Sequence, residues 1–142
     1  MQRENEVQHV FLVGAKSLGA YGGYETFVYK LTEYHQNKKN IKYHVACKAN
    51  GDGCMDETKV EGATKINDHE FEFHNAHCFK IDIPQIGAAQ AIYYDVAALS
   101  ACCKYIRSTR LSIQSSISWL AALDLLRLIS TKKSIRWAVL CI

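Results

Sequence analysis

The stretch FLVGAKSLGAYGGYETFVYKL, residues 11–31, constrains this chain more than any other part of it. The apolar, β-branched-rich run from His9 to Gly14 reads as a short buried strand stopped by glycine. A loop follows and closes on Gly22-Gly23. From Tyr24 to Gln36 the pattern changes period: Phe27, Val28, Leu31 and Tyr34 recur at helical spacing and form an apolar stripe. Strand, glycine turn and helix in direct succession are the opening of an α/β unit.

The later segments continue that order. Ile41 to Cys47 alternates and then runs apolar, as a second strand does. Asn50 to Asp68 is rich in Gly and Asp, has almost no periodicity, and reads as a surface loop or insertion. His69 to His74 alternates cleanly as a strand. His77 to Ile83 is another, ended by Pro84. Ala88 to Ile106 is a strong helix, with Ala91, Ile92, Asp95, Ala98, Leu99, Cys102 and Ile106 tracing one face. The fold class is α/β, a Rossmann-like open parallel sheet. Right-handed crossovers then put the first glycine turn at the carboxyl edge of the first strand, where such sheets bind ligands.

Composition narrows the class. A chain of 142 residues with 49% hydrophobic and 22% charged residues suits one globular domain and argues against disorder. The net charge of +3 is small and scattered, which argues against a nucleic-acid partner. Cys47, Cys54, Cys78, Cys102, Cys103 and Cys141 contain no C-x-x-C pair, and MQRENEVQHV has no secretory apolar core. A reduced, cytoplasmic chain is the expectation. No run approaches the ~18 uncharged apolar residues of a membrane span.

Gly22 and Gly23 precede the predicted helix, whose first amides have no internal partner and whose dipole favours an anion. Glycine also lets a phosphate approach the backbone and permits positive φ. Thr26 offers a hydroxyl, whereas Glu25 repels a phosphate unless it turns to a sugar or to backbone. A tight turn without ligand is the competing reading. The P-loop pattern fails because Ala20-Tyr21 follows Gly19. The dinucleotide fingerprint fails because the second strand ends at Lys48, not at an acid. His74, His77 and Cys78 lie close in sequence but need not face one side, so no metal site is expected, and no cofactor. Asp95 sits among apolar positions, with a structural partner the expected reason. Cys102-Cys103 reads as core packing.

GAKSLGAYGGYETFVYKLTEY, IKYHVACKA and EFEFHNAHCFKIDIPQIGAAQAIYYDVAAL together resemble the amino-terminal domain of bacterial rhamnosyltransferases that build capsule and rhamnose-rich cell-wall polysaccharides. These are retaining glycosyltransferases of the two-Rossmann-domain (GT-B) type, in or near family 4. The resemblance covers Val7 to Ile106, and its specific parts are Tyr21–Val28 and Gly87–Val96. It departs from the family in lacking a proline near Leu18-Gly19-Ala20 and in carrying Tyr24 where phenylalanine is usual. The resemblance implies that Gly22 and Gly23 approach a donor diphosphate, with Glu25 and Thr26 at the adjoining helix start. It implies a nucleotide-sugar donor, a lipid-linked saccharide acceptor, and contact of the full-length parent with the inner face of the plasma membrane. It places the paired glutamates and most nucleotide contacts in a second domain, so no catalytic residue is expected here and the fragment is expected to be inactive alone. The rival reading is a non-catalytic α/β binding module that pairs with a partner chain.

After Ile106 the resemblance stops. The segment 107–142 is apolar and serine-rich and holds both tryptophans. Read one base out of frame from Ser112, codons permitted by these residues spell a buried strand ending in a glycine turn, then a helix end, Gly-Gly and a new strand. The expectation is therefore a domain over 1–106 and an out-of-frame tail over 107–142. In that tail the helix-like spacing of Ile117, Leu120, Ala121, Leu125 and Leu128 is accidental.

Overall fold

In the computed structural model of the chain, residues 7–19, 22–109 and 138–141 are described. The order is β1 (Gln8–Val13), α1 (Gly23–Tyr34), β2 (Ile41–Lys48), a 3₁₀ turn (Glu57–Lys59), β3 (Ala63–Lys65), β4 (Glu70–Phe73), β5 (Ala76–Ile81), a second 3₁₀ turn (Gly87–Ala89), α2 (Gln90–Ser108) and β6 (Ala138–Cys141). The strands form one sheet in the order β3-β4-β5-β2-β1-β6. Its centre is parallel: β1 pairs with β2, and β2 with β5. Both flanks are antiparallel, through β3-β4-β5 on one side and β6 on the other. The α/β Rossmann-like class holds, and the all-parallel expectation holds only for the central three strands.

Side-chain alternation explains the layering. Val10 and Leu12 of β1, Tyr43, Val45 and Cys47 of β2, Ala76 and Cys78 of β5, and Phe71 and Phe73 of β4 pack in one cluster with Tyr24 and Val28 of α1. Phe11, Val13, Ala46 and Phe79 point the other way and meet Ala98, Cys102 and Ile106 of α2. One helix therefore covers each face, which is why the central strands read as continuous apolar runs. Antiparallel β4 lies further out, and only the α1 face of its Glu-Phe-Glu-Phe pattern is apolar.

Both helices are rotated from the stripes that spacing alone suggests. In α1 the buried residues are Tyr24, Val28 and Thr32, while Phe27 is 52% and Tyr34 is 77% exposed. In α2 they are Tyr94, Ala98, Cys102 and Ile106, and Ile92 is exposed. Thr32 is buried because its hydroxyl donates back to the Tyr29 carbonyl at 2.9 Å, so no polar group is stranded. The 50–68 segment is more than a surface insertion. It contributes β3 and seats Met55 in the α1-face core, where the Leu18 N–H approaches the Met55 sulfur at 3.2 Å.

The predicted accidental helix of the tail falls on residues 110–137, outside the described residues. Within 138–141 the chain is a strand, antiparallel to β1, with Val10 opposite Cys141 and Val13 opposite Ala138. That strand has no counterpart in the sequence reading.

The face under α2 also holds a row of imidazoles. His44 stands opposite Phe11 on one side and His77 on the other, and Tyr105 of α2 covers both rings. His9 Nδ1 lies 2.8 Å from His44 Nε2. Burial, then the charges of His9, His77 and Lys42, pull His44 down to about 3 from its ordinary 6.5. A histidine depressed in the fold adds stability above its unfolded value and loses it as the pH falls. Stability should therefore decline from pH 6.5 toward 3, at up to about 1.4 kcal/mol per pH unit for this residue. Urea midpoints measured across that range should fall steeply for the chain and less steeply for His44→Phe; equal slopes would show that neutral His44 is not the source.

Candidate functional site

The carboxyl ends of β1, β2 and β5 meet at one edge, and hydrogen bonds lace their loops together. Lys48 N–H donates to the Lys16 carbonyl at 2.9 Å, Met55 N–H to Lys48 at 2.8 Å and Ala49 N–H to Ile81 at 2.9 Å. The Asn50 side chain bonds both backbone groups of Ile83. Two buried tyrosines hold the glycine loop from below. The Tyr24 hydroxyl donates to the Val13 carbonyl at 3.1 Å. The Tyr94 hydroxyl lies between the carbonyls of Ala15 and Ala46. Burial raises both phenols, Tyr24 to about 12, so each remains a donor near neutral pH.

Positive φ is required at Gly14 (+104°) and Gly19 (+73°), not at Gly22 or Gly23, which corrects the expectation for that pair. Gly22 is the N-cap of α1 in an extended conformation, and the first helical bond runs from Thr26 N–H to the Gly22 carbonyl at 3.0 Å. At Gly22 the missing side chain leaves room for a neighbour instead. The Glu25 carboxylate folds back across it, so that a Cβ there would stand 2.4 Å from Oε2. The same carboxylate accepts from Lys16 N–H at 3.3 Å, tying the loop to the helix start. Gly23 is open: no described atom lies within 4 Å of its Cβ position. Gly23 is exposed, and the Glu25 carboxylate is turned to the Lys16 backbone.

Thr26 is exposed on the next turn and lines a cleft of about 540 Å³ between the loop at Ser17–Gly19, α1 at Tyr29, and residues 54–61. Spacing alone could not reveal this wall, because the segment 50–68 has no periodicity to place it.

The other singled-out residues do not assemble. His77 faces α2 and Cys78 faces α1, from neighbouring positions of one strand, and His74 sits in the turn before β5 with φ +50°. Among the described residues no cluster of histidine, cysteine and acid side chains could hold a metal. Asp95 is half-buried, and burial raises its carboxyl. The structural partner expected for it is not found among the described residues. The described cysteines are free, and burial pushes Cys47 and Cys102 up to about 12, so neither is a thiolate near neutral pH. No helix among the described residues is long and apolar enough to cross a membrane.

The family model described as Domain of unknown function (DUF1972) matches residues 7–134. The chain belongs to the DUF1972 family. No curated protein and no solved structure matches it. The DUF1972 match takes in the glycine loop, both helices and the laced edge, and it runs past Ile106 into the segment that the resemblance leaves out.

Two alanine variants test the geometry of the turn. Gly23→Ala adds a side chain into open space at a helical position and should stabilise the DUF1972 chain by up to about 1 kcal/mol. Gly22→Ala must displace the flexible Glu25 carboxylate from Lys16 and should cost about 1 kcal/mol. Thermal melts decide the order of the two; a larger loss at Gly23 than at Gly22 would contradict this arrangement.

Proposed function

We propose that this chain is the amino-terminal, Rossmann-like part of a glycosyltransferase. The parent would transfer a sugar, L-rhamnose by resemblance, from a nucleoside diphosphate donor to a lipid-linked oligosaccharide at the cytoplasmic face of a membrane. The observation that carries this reading is the turn itself. A glycine loop leaves the carboxyl end of a central parallel strand and enters a helix whose first turn is open at Gly23. Membership of DUF1972, a domain found in amino-terminal regions associated with glycosyltransferases, supports it. Gly22, Gly23, Glu25 and Thr26 are the residues assigned to the donor diphosphate. The first-turn amides and the helix dipole would stabilise the charge that grows as the leaving group departs, with the loop already held by Tyr24 and Tyr94. No catalytic side chain is assigned, and turnover needs the second domain.

The reading of 107–142 as an out-of-frame tail also stands as a proposal, and the family match reaching residue 134 is the observation against which it is weighed. Sequencing the DNA beyond the Ile142 codon decides it. A second Rossmann-like half continuing in another frame supports the tail reading, and its absence from every frame removes it.

Donor binding is testable on the chain as it stands. Titration with dTDP or UDP should shift the amide resonances of residues 22–26, and Glu25→Gln should tighten binding about twofold to fivefold by removing a like charge. Unchanged resonances up to millimolar nucleotide would remove donor binding by this chain on its own.

A further inference from the structure

The amino ends of β1, β2 and β5 carry a group of side chains that the laced edge does not use. His9, His44 and His77 lie side by side under the last turns of α2, one from each strand. His44 is fully buried and His77 is 7% exposed. The Tyr105 ring centroid is 4.7 Å from that of His44 and 4.9 Å from that of His77. His44 Nε2 meets His9 Nδ1 at 2.8 Å, and His77 Nε2 lies 3.8 Å from Glu70 Oε1, beyond hydrogen-bond reach. Nδ1 of His44 and Nδ1 of His77 are both buried without a hydrogen-bond partner among the described residues.

A neutral imidazole has one N–H and one bare nitrogen, whereas an imidazolium has two N–H groups and needs two acceptors. The closed structure offers His44 one at most, the His9 nitrogen. The charges that bear on His44 are those of His9 on β1, His77 on β5 and Lys42 on its own strand, and each opposes a second positive charge. Glu70 and Glu72 of β4 favour charge on His77, while its burial and Lys42 oppose it, and burial is the larger effect. From α2, Tyr105 contributes a phenol raised by burial, and Lys104 stands at the rim of a cleft of about 340 Å³. That cleft runs between β4, β5 and α2 and is lined by His77, Ala101, Tyr105 and Ser108, so water stands beside the cover of the row. Its other charged members, His69 and Lys80, are paired with Asp82 at 3.6 Å and with Glu57 at 2.9 Å.

We propose that this row is a proton-operated latch: uptake of a proton by His44, assisted by His77, lifts Tyr105 and the last turns of α2 from the sheet, and the neutral row closes them again. Cys102, Tyr105 and Ile106 are what hold this stretch to the sheet. The first turns of α2 stay seated, because the Tyr94 hydroxyl lies between the carbonyls of Ala15 and Ala46. Acid therefore opens the amino edge and leaves the glycine loop gripped. The latch stands apart from the glycosyltransferase reading and survives its failure.

Amide hydrogen exchange on the 142-residue chain in low urea tests it. Covered, His44 stays neutral down to about 3; uncovered, it takes a proton at its ordinary 6.5. Between about pH 7.5 and about pH 5, opening of residues 102–108 should therefore rise about thirtyfold, once the intrinsic pH dependence of exchange is removed. The rise should be independent of urea, and the amides of residues 28–32 in α1 should stay slower throughout. His44→Phe should remove the rise. Glu70→Gln takes a favourable charge from His77 without entering the core and should enlarge the rise about twofold. Opening of residues 102–108 only together with α1, in proportion to urea, overturns the latch, as does a rise that survives in His44→Phe. Should His44→Phe fail to fold, Glu70→Gln decides: a rise equal to or smaller than that of the parent overturns the proposal, and a larger one supports it.

Discussion

The parallel pairing of β1 with β2, and of β2 with β5, is the constraint on which the rest of the molecule depends. Parallel strands need crossovers: α1 is the one between β1 and β2, and α2, which follows β5, packs on the opposite face. Each central strand is then buried twice, once through its odd and once through its even positions. Phe11, Leu12 and Val45 are at most 1% exposed. Full burial of such side chains contributes about 1.5–3 kcal/mol each. A slip of one residue would exchange the two faces and strand His44 and Phe11 against α1, so the register is strongly specified.

That pairing also sends three loops to one edge, where their backbone groups must find partners. They find them in one another, through Lys48–Lys16, Met55–Lys48 and Asn50–Ile83, and in the hydroxyls of Tyr24 and Tyr94. The tyrosines come from the two helices on opposite faces, so the glycine loop is gripped from both layers of the core. These bonds fix the start of the loop at Val13, Ala15 and Lys16. Glu25 contributes to the same order by turning its charge toward Lys16 N–H.

Much of this was legible in the residues. The strand-turn-helix over 8–34, the second strand, the β4-β5 pair and the long second helix follow from periodicity and from glycine and proline stops. Helix rotation was not legible. Phe27 and Ile92 are as apolar as Val28 and Ala98, and only the helices' seating on a twisted sheet turns the first pair outward. The glycine turn was legible as a place but not as a geometry. Sequence suggests positive φ at the Gly22-Gly23 pair, whereas this loop takes its left-handed positions at Gly14 and Gly19 and leaves Gly22 room for a carboxylate to pass.

The amino-acid sequence by itself determined the succession of β1, α1, β2, β4, β5 and α2, the α/β class and the location of the turn, because these depend on local spacing and on the conformational limits of single residues. Tertiary structure decided the rest. It made the flanks antiparallel, brought the aperiodic segment 54–61 against α1 to form a cleft, and set His77 and Cys78 on opposite faces. It also set His44 beneath Tyr105, sixty-one positions along the chain. Contacts between residues so far apart leave no trace in local pattern. They arise when hydrophobic burial closes the two layers on the sheet, and only then do a threonine, a serine and a methionine from three separate segments line one cleft.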